Sequence, residues 1–354
     1  MPEGLPPAKR DAGKTFRFSV APLARKLRPL VKKLIIQIPC HNEEETLPIA
    51  LNALPRQVAG FDKVEWLIIA DGCTDRTIEV ARANGVDHVV DLGGHQGLAR
   101  GFMAGLDAAL RAGASVIVNT DADNQYNADD IPKLVEPILR GEAQIVVGAR
   151  PITEIEHFSP LKKTLQKLGS WVVRFASGTP VADAPSGFRA MSRDAALRLN
   201  VFSEYTYTLE TIIQAGQKDI PIASVPIRTN AYLRPSRLMK SMRSYVQRSI
   251  LTILRIFITY RPLRFFLWVG AIPFVIGALL GIRWIWLYVV DFSTTGRTHL
   301  PSLIAAAVCT LTGVMLWVLG LVGDLIAANR KLLEDIQLRT KRLEYERYTN
   351  SSDA

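Results

Sequence analysis

The chain has 354 residues, of which 48% are hydrophobic and 21% charged, as expected of a globular protein with room for a large core. Its formal net charge of +10 is concentrated in residues 8–33 and 234–264, whose nine and eight Lys or Arg residues suit an anionic membrane surface and argue against a nucleic-acid binder. Three widely spaced cysteines exclude a disulfide framework or a Cys-x-x-Cys zinc site, and the charged N-terminus predicts no cleavable signal peptide.

The first half of the chain alternates short apolar runs with amphipathic segments. The apolar runs predict strands at 34–39, 64–70, 86–90, 115–120 and 144–148. The segments between them predict helices at 43–54, 74–83 and 97–112. This alternation indicates an α/β domain whose mostly parallel sheet is covered by helices on both faces. Ligands of such sheets bind at the carboxyl ends of the strands.

The second half of the chain is basic and then apolar. Residues 161–177 form a basic amphipathic stretch, and apolar residues recur every three or four positions in 239–258. That spacing predicts a helix lying on a membrane surface, with packing on the domain core as the alternative. Two apolar stretches follow, 263–290 and 300–323, and each is long enough to cross a bilayer, for which about 20 residues suffice.

Basic residues flank both outer ends of this predicted helical hairpin, with Arg261 and Arg264 before it and Arg330 and Lys331 after it. Because cytoplasmic flanks carry an excess of Lys and Arg, both chain ends are predicted to be cytoplasmic. Arg283 is expected near the far interface, since a charge at the centre of a span costs about 2.5–3.5 kcal/mol.

The sharpest motif follows the fourth predicted strand, where Asp121 and Asp123 stand one residue apart. Two carboxylates at the carboxyl end of a strand can face one point across a turn, and their oxygen atoms suit Mg²⁺ or Mn²⁺. A metal ion there would neutralise a diphosphate leaving group, which is the main electrostatic task in transferring a sugar from a nucleotide. A solvated turn is the alternative, because Asp-x-Asp also occurs by chance.

Polar motifs also follow the first two predicted strands, as Pro39-Cys40-His41-Asn42-Glu43-Glu44 and Asp71-Gly72-Cys73-Thr74-Asp75-Arg76-Thr77. Asn42 and Thr74 are good helix N-cap residues, and acidic side chains are favoured in the first turn of a helix. Helix capping and ligand binding are compatible, so both interpretations stay open at these two strand ends.

Together these motifs resemble those of the family 2 glycosyltransferases, which have the GT-A fold. The family's first strand ends in Pro-x-Asn-Glu and its second in Asp-Gly-Ser-x-Asp-x-Thr, with Cys73 here at the serine position. The family's Asn-x-Gly segment begins differently here, at His95, before the next predicted helix. The resemblance covers about residues 33–230. It implies a nucleotide-sugar site that contains Pro39, His41, Asn42, Glu43, Asp71, Asp75, Gly97, Asp121 and Ala122.

The closer resemblance is to the polyisoprenyl-phosphate glycosyltransferases, the branch that includes dolichyl-phosphate mannose synthases. Its Asp-x-Asp-x-Gln metal site is matched by Asp121, Asp123 and Gln125, and the arginine that ends its fifth strand is matched by Arg150. A Ser-Gly-Phe-Arg segment after an aspartate is matched by 186–189 after Asp183. A late segment, Arg234-Pro235-Ser236-Arg237, resembles a shortened form of the branch's Arg-x-x-x-Ser-Lys.

This resemblance implies catalytic roles for Asp123, Arg150, Asp183 and Arg237. It also implies a site for an acceptor phosphate, built from Lys163, Arg150, Arg234, Ser236 and Arg237. A lipid phosphate is already a nucleophile at neutral pH, so no strong general base is needed. Arginine pairs with phosphate through two hydrogen bonds, although a surface ion pair is the alternative for any one of these arginines.

The implied reaction is inverting, metal-dependent transfer of a sugar from a UDP- or GDP-sugar to a membrane polyisoprenyl phosphate. The expected cofactor is Mg²⁺ or Mn²⁺. The expected location is the plasma (inner) membrane. No nucleic-acid partner is expected, and a homo-oligomer is compatible with the sequence. The alternative acceptor is a glycolipid or a polysaccharide, but the Gln-x-x-Arg-Trp motif of processive synthases is absent.

Two other classes of protein fit the sequence less well. A dinucleotide-dependent oxidoreductase would need Gly-x-Gly-x-x-Gly after the first strand, where none stands. The intact Asp121, Asp123 and Gln125 argue against a non-enzymatic scaffold. The predicted division of the chain is a basic arm (1–32), a GT-A catalytic domain (33–232), an amphipathic interface helix (233–262), two spans (263–290 and 300–328) and a cytoplasmic helical tail (329–354).

Overall fold

The structure is a computed structural model that describes residues 31–151, 173–174, 177–201, 207–230, 254–255, 258, 261–295 and 299–351. Residues 1–30 of the basic arm and most of the predicted amphipathic helices at 161–177 and 239–258 lie outside the described residues. The described part of the chain forms an α/β domain followed by two long helices.

Within the described residues, the α/β domain is built on a seven-stranded sheet in the order β3-β2-β1-β4-β6-β5-β7. The strands are β1 (Lys33–Cys40), β2 (Lys63–Ala70), β3 (His88–Asp91), β4 (Val116–Asn119), β5 (Ile145–Ala149), β6 (Arg189–Ser192) and β7 (Ile222–Pro226). Neighbouring strands are parallel, except that β6 runs antiparallel to both β4 and β5. The central strands β1 and β2 are buried along almost their whole length, which explains their continuous apolar sequences.

Helices cover both faces of this sheet. They are α1 (Leu47–Ala53), α2 (Thr77–Ala83), α3 (Leu98–Arg111), α4 (Ile131–Leu139), α5 (Arg193–Arg198) and α6 (Thr208–Gln217). The apolar residues of α1, α2 and α4 pack into one core cluster, and those of α3, α5 and α6 pack into a second cluster. The predicted three-layer α/β architecture is therefore confirmed.

The two long helices are α7 (Pro262–Thr295) and α8 (Leu300–Ser351), which form an antiparallel hairpin. Segments Pro262–Val290 and Leu300–Tyr345 are long and apolar enough to cross a membrane, and only 11% and 17% of their most apolar windows are buried. The helices approach closely at small residues, because a Cβ on Gly313 would lie 2.8 Å from the carbonyl oxygen of Gly270. Near the turn, Arg283 Nη1 donates to Ser302 Oγ at 3.3 Å.

The second half of α8 continues without a break and packs against the α/β domain. Its contacts join it to the end of α6, to α5 and to α3, through Glu334 with Lys218, Arg342 with Asp194, and Tyr345 with Asp107. Tyr345 is only 2% exposed and belongs to the core cluster beneath α3. This part of the predicted helical tail therefore packs on the domain of its own chain.

Candidate active site

The loops that follow β1, β2 and β4 lie at one edge of the sheet, because these three strands are parallel neighbours. Each loop contains one residue with a left-handed backbone: Asn42 (φ 56°), Gly72 (φ 63°) and Asn124 (φ 54°). Glycine and asparagine tolerate that conformation better than other residues. Each loop can therefore turn sharply at the carboxyl end of its strand, where the predicted site residues begin.

Hydrogen bonds tie the first two loops together. Asn42 Oδ1 accepts from the backbone N–H of Thr74 at 2.8 Å and from its hydroxyl at 3.3 Å. The backbone N–H of Glu43 donates to Thr77 Oγ1 at 2.8 Å. The two motifs after β1 and β2 thus form one polar surface rather than two independent turns.

The capping roles considered for Asn42 and Thr74 are wrong in this structure. The N-cap residue of α1 is Thr46 and that of α2 is Arg76, and neither side chain makes a capping hydrogen bond. Both helices begin later than predicted because Asn42 and Thr74 bond to each other across the loops. Asp75 lies nearest to a capping role, since its Oδ1 accepts from the backbone N–H of Thr77 at 3.0 Å.

Asp71 organises the loop that leads into α3. Its Oδ1 accepts from the backbone N–H of Gln96 at 2.6 Å, and its Oδ2 accepts from that of Gly97 at 2.9 Å. Gly97 is the N-cap residue of α3, with φ 93°. A side chain on Gly72 would collide with the backbone of His95, so glycine is needed where the two loops meet. Asp71 therefore fixes the backbone of the third loop against the end of β2.

Two histidines pack beside Asp71. His41 Nδ1 lies 2.6 Å from the carbonyl oxygen of Asp71, which can only accept, so that nitrogen carries the proton. His95 Nδ1 lies 3.0 Å from Asp71 Oδ2, and the two imidazole centroids are 4.3 Å apart. His95, whose role the sequence left open, thus lies against the predicted nucleotide-sugar loops.

The acidic motif after β4 places the Asp121 carboxylate in surroundings that oppose its ionisation. Desolvation by the surrounding protein, followed by the charge of Asp123, raises the pKa of Asp121 to about 7, against an opposing effect of Arg150. Glu43 adds a further negative charge on the same side. The Asp123 side chain closes its own turn, because Oδ1 accepts from the backbone N–H of Gln125 at 3.1 Å.

Gly187 packs directly against Asp121. A Cβ at this position would lie 3.1 Å from Asp121 Oδ1 and 3.2 Å from Oδ2. The glycine backbone is held on both sides, since its N–H donates to Tyr126 OH at 3.0 Å and its carbonyl accepts from Asn119 Nδ2 at 2.9 Å. Asn119 also donates to Tyr207 OH at 2.9 Å. This buried network connects strand β4 to Gly187, which packs against Asp121.

Arg150 and Asp183 form a bidentate ion pair beside the same edge. Arg150 Nε lies 2.7 Å from Asp183 Oδ2, and Nη2 lies 3.1 Å from Oδ1. The two side chains are 10% and 1% exposed. A bidentate carboxylate fixes the plane of a guanidinium, so Asp183 orients Arg150, whose charge in turn acts on Asp121.

Arg189 anchors the loop that carries Asp183 and Gly187. Its side chain is completely buried, and Nε and Nη2 donate to the carbonyl oxygens of Ser186 and Ala184, each at 2.8 Å. Burial lowers the pKa of Arg189. The arginine of the Ser-Gly-Phe-Arg segment therefore holds the loop in shape from inside the protein.

The carboxylates of Asp121 and Asp123 fit a shared divalent cation. Both supply hard oxygen ligands, and a cation would relieve the repulsion between them. Within the described ranges, no group of three His, Cys, Asp or Glu side chains is close enough to hold a metal ion. A bound ion would therefore complete its shell with other oxygen atoms, such as those of a diphosphate or water. Gln125 as a further ligand stays a prediction.

The structure brings most predicted site residues to this edge. They lie at or just after the ends of β1, β2, β4 and β5, or at the start of α3: Pro39, His41, Asn42, Glu43, Asp71, Asp75, Gly97, Asp121, Ala122, Asp123, Gln125 and Arg150. Lys163, Arg234, Ser236 and Arg237 lie outside the described residues. The individual ligand contacts predicted for all these residues stay predictions.

The sequence did not indicate the buried network around the acidic motif. Asn119 and Tyr126 read as ordinary strand and loop residues, and Tyr207 lies almost 90 positions away from Asn119 along the chain. Only Gly187 had a sequence signal, through its place in the Ser-Gly-Phe-Arg segment.

Comparison with known proteins agrees with this fold. Residues 35–199 match Glycosyl transferase family 2. A UDP-N-acetylglucosamine–dolichyl-phosphate N-acetylglucosaminyltransferase of Methanococcus voltae is 31% identical over 223 residues, covering 56% of this chain and 86% of that protein. A polyprenol monophosphomannose synthase of Mycolicibacterium smegmatis is 26% identical over 213 residues, covering 57% and 78%.

A solved structure shows the same fold. It is glucosyl-3-phosphoglycerate synthase from Mycobacterium tuberculosis in complex with Mn²⁺, UDP-glucose and phosphoglyceric acid, with a TM-score of 0.50 and 23% identity, covering 63% of this chain and 79% of that one. The fold, the strand-end motifs and these relatives define a glycosyltransferase. The chain belongs to glycosyl transferase family 2, and its relatives include transferases that attach sugars to polyprenyl phosphates.

Proposed function

We propose that this enzyme transfers a sugar from a UDP- or GDP-sugar to a membrane polyisoprenyl phosphate, with inversion at the anomeric carbon. The products are a polyisoprenyl-phosphate sugar and a nucleoside diphosphate. The names of the Methanococcus and Mycolicibacterium relatives support a polyprenyl-type acceptor. The α7–α8 hairpin supports a location at the membrane, where that acceptor resides.

One observation carries the proposal: the Asp121–Asp123 pair and the Arg150–Asp183 pair lie at the same sheet edge, close enough for Arg150 to influence the pKa of Asp121. Transfer between two phosphate esters brings two anionic groups to one anomeric carbon. Such a reaction needs positive charge near both anions and does not need a strong base. A buried, oriented arginine beside a pair of metal-type carboxylates meets that need.

In the proposed reaction, an oxygen of the acceptor phosphate attacks the anomeric carbon while the bond from that carbon to the donor diphosphate breaks. The electron pair of the broken bond stays on the diphosphate, and a single displacement inverts the configuration. The attacking oxygen is already ionised at neutral pH, so no proton has to be removed. Arg150, held in plane by Asp183, would stabilise the phosphate charge close to the reacting carbon.

Asp121 and Asp123 would hold Mg²⁺ or Mn²⁺, which supplies positive charge to the leaving diphosphate. The Mn²⁺ and UDP-glucose bound to the Mycobacterium tuberculosis neighbour support a divalent cation in this fold. The first two loops and Asp71 would surround the nucleoside, because they line the adjoining part of the edge. His95 would face the nucleoside from the third loop.

We further propose that α7 and α8 span the plasma (inner) membrane with the catalytic domain and both chain ends in the cytoplasm. The support is the excess of basic residues at both outer ends of the hairpin, including Arg264 before it and Lys331 after it. The acceptor phosphate would then arrive from the cytoplasmic surface of the bilayer.

The proposal is tested with purified full-length protein, a panel of radiolabelled UDP- and GDP-sugars, and undecaprenyl or dolichyl phosphate in mixed micelles. We expect label in the lipid fraction with one donor, in the presence of Mg²⁺ or Mn²⁺. The matched control is Asp123→Asn, which keeps the size of the side chain and removes its charge. Labelled lipid formed equally by the control would contradict the assigned site.

The alternative is a family 2 transferase that acts on a glycolipid or a polysaccharide. The same donors should then label an extracted membrane glycolipid or a polymer while polyisoprenyl phosphates stay unlabelled. That result would overturn the acceptor and leave the donor half of the proposal standing.

A further inference from the structure

A second polar site lies where α8 leaves its apolar half and meets the catalytic domain. It is a cavity of about 290 Å³ lined by four cationic and two anionic side chains, Arg198, Lys218, Arg330, Lys331, Glu334 and Asp335. Part of its wall comes from α8 and part from the ends of α5 and α6.

The topology of the sheet separates this cavity from the proposed active site. Lys218 follows α6 and precedes β7, so it lies near the amino end of that strand. Arg198 ends α5, which follows β6, and the last residue of β6, Ser192, is paired with the first residue of β4, Val116. The cavity is therefore at the amino edge of the parallel strands, whereas Asp121 follows the carboxyl end of β4.

Positive charge dominates the lining. Glu334 is shared between Lys218 at 3.0 Å and Arg330 at 2.8 Å. Asp335 pairs with Arg339 at 3.0 Å. Lys331 is exposed and makes no ion pair or hydrogen bond with any residue that the structure describes. One carboxylate thus pairs with two cations, while Lys331 lines the cavity with no carboxylate partner among the described residues.

The cavity also lies at the depth of lipid headgroups if α7 and α8 cross the bilayer. Gly323 packs against Pro262 at the base of the hairpin. Ala327, the first lining residue of α8, comes four positions later, or about 6 Å along the helix. Leu325 and Ile326 just before it are 68% and 63% exposed, as expected of side chains that face lipid. Arg261 adds another cation nearby, because its Nε lies 3.0 Å from Oε1 of Gln217 in the amide orientation that satisfies both side chains.

We propose that this cavity binds the phosphate of an anionic phospholipid from the surrounding bilayer, as a site separate from that of the acceptor. A phosphate there would contact cations from α5, α6 and α8 at once and so stabilise the junction between the hairpin and the catalytic domain. The proposal rests on α7 and α8 spanning the membrane. It does not rest on the identity of the sugar acceptor.

The test uses full-length protein in nanodiscs of phosphatidylcholine, alone or mixed with phosphatidylglycerol. Native mass spectrometry counts retained phosphatidylglycerol, and thermal unfolding measures the stabilisation that this lipid confers. Lys331→Gln should weaken retention about fivefold, from roughly 1 kcal/mol per basic residue at a membrane surface. The double variant with Arg198→Gln should weaken it by at least about tenfold. Equal melting temperatures in phosphatidylcholine alone would show that the variants fold.

The matched control is Arg264→Gln, since Arg264 is exposed at the base of α7 on the same side of the hairpin and outside the cavity. Loss of phosphatidylglycerol retention in the Lys331 variants, with retention by the Arg264 control unchanged, supports the site. Equal losses in both would show a diffuse surface effect and overturn it. Equal stabilisation by inorganic phosphate or soluble glycerophosphoglycerol would overturn the assignment of a phospholipid ligand and identify a site for a free anion.

Membrane insertion is measured separately, as resistance of the chain to extraction with alkaline carbonate. Complete extraction would overturn the proposal by removing its premise. The sugar-transfer assay reports on the proposed function independently of either result.

Discussion

Replacing Gly187 with alanine should impair catalysis by displacing Asp121. The new methyl carbon would lie 3.1 Å from Asp121 Oδ1 and 3.1 Å from Tyr207 OH, closer than nearly all real contacts of this kind. Tyr207 cannot yield easily, because it is 1% exposed, stacks on Phe102 with centroids 3.9 Å apart and accepts from Asn119. The strain should therefore move the Asp121 carboxylate by a few tenths of an ångström.

The size of the effect follows from the tolerance of such sites. Catalytic groups need to be held within about 0.5 Å of their productive positions, and a misplacement of about 1 Å can lower a rate roughly 100-fold. A shift of a few tenths of an ångström should thus lower kcat/KM about three- to tenfold, or roughly 0.7–1.4 kcal/mol. The added carbon should also lower the free energy of unfolding by about 1 kcal/mol through overpacking.

The assay measures kcat/KM against nucleotide-sugar concentration at several Mn²⁺ concentrations, together with thermal unfolding. The control is Gly101→Ala in α3, where a Cβ would meet only Ile69, at an ordinary 3.9 Å. That variant should keep full activity and gain up to about 1 kcal/mol of stability, because alanine favours a helix over glycine. Full activity and unchanged metal dependence in Gly187→Ala would refute the idea that the packing of Gly187 positions the Asp121 carboxylate.

Activity should also require a divalent cation, so transfer of radiolabel should fall to background in excess chelator or in Asp123→Ala, and undiminished transfer in either would contradict the carboxylate site. A C-terminal tag should survive protease added to sealed, right-side-out cells, and its cleavage would mean that one of α7 and α8 does not cross the membrane. Burial alone would raise the pKa of Glu65, but hydrogen bonds from Lys63, His88 and Lys33 outweigh it and lower that pKa to about 2. The resulting stabilisation is complete above the unfolded-state pKa of about 4.5 and disappears as the pH falls through about 2. Glu65→Gln should therefore cost about 1–3 kcal/mol of stability at neutral pH, and thermal unfolding should show the deficit narrowing below about pH 4.5. A deficit that stayed constant down the acid range would refute the ionised cluster.

The two longest strands, β1 and β2, were both predicted and are buried along almost their whole length. Strands β1 and β2 read as continuous apolar runs and were placed within one residue of their observed ends. Strand β6 was not predicted, because its four residues begin with the buried Arg189 and no alternation can appear over so short a length. Edge strand β7 is only partly buried and ends in proline, which weakens its signal as well.

The location of the candidate site could be predicted because it depends on chain order. Parallel strands place their following loops at one edge, so Asp71, Asp121 and Arg150 had to lie along the same edge once the strands were known. The partners of these residues could not be predicted in the same way. The bonds of Asp71 to the backbone of residues 96 and 97, and the packing of Gly187 on Asp121, depend on loop conformations for which the sequence has no periodic signal.

The predicted starts of α1 and α2 were wrong for a related reason. Asparagine and threonine are favoured at helix N-caps, so local propensity alone predicts that Asn42 and Thr74 begin their helices. In the structure the two loops lie side by side, and each residue finds its partner in the other loop, at 2.8 Å. A hydrogen bond between residues about thirty positions apart thus takes the place of the two predicted capping bonds. Both side chains remain at the edge of the sheet that carries the candidate site.

A single continuous helix, α8, links the helical hairpin to the α/β domain. Helix α8 has 52 residues, or about 78 Å, of which roughly 30 Å is enough to cross the hydrocarbon core. The remainder runs from the hairpin onto the α/β domain and contacts α6, α5 and α3 in turn, from Glu334 to the buried Tyr345. Since no loop interrupts it, the domain cannot rotate about the hairpin without breaking this packing. The edge that carries Asp121 is therefore held in one orientation relative to α7 and α8, which suits an enzyme whose proposed acceptor is confined to the membrane surface.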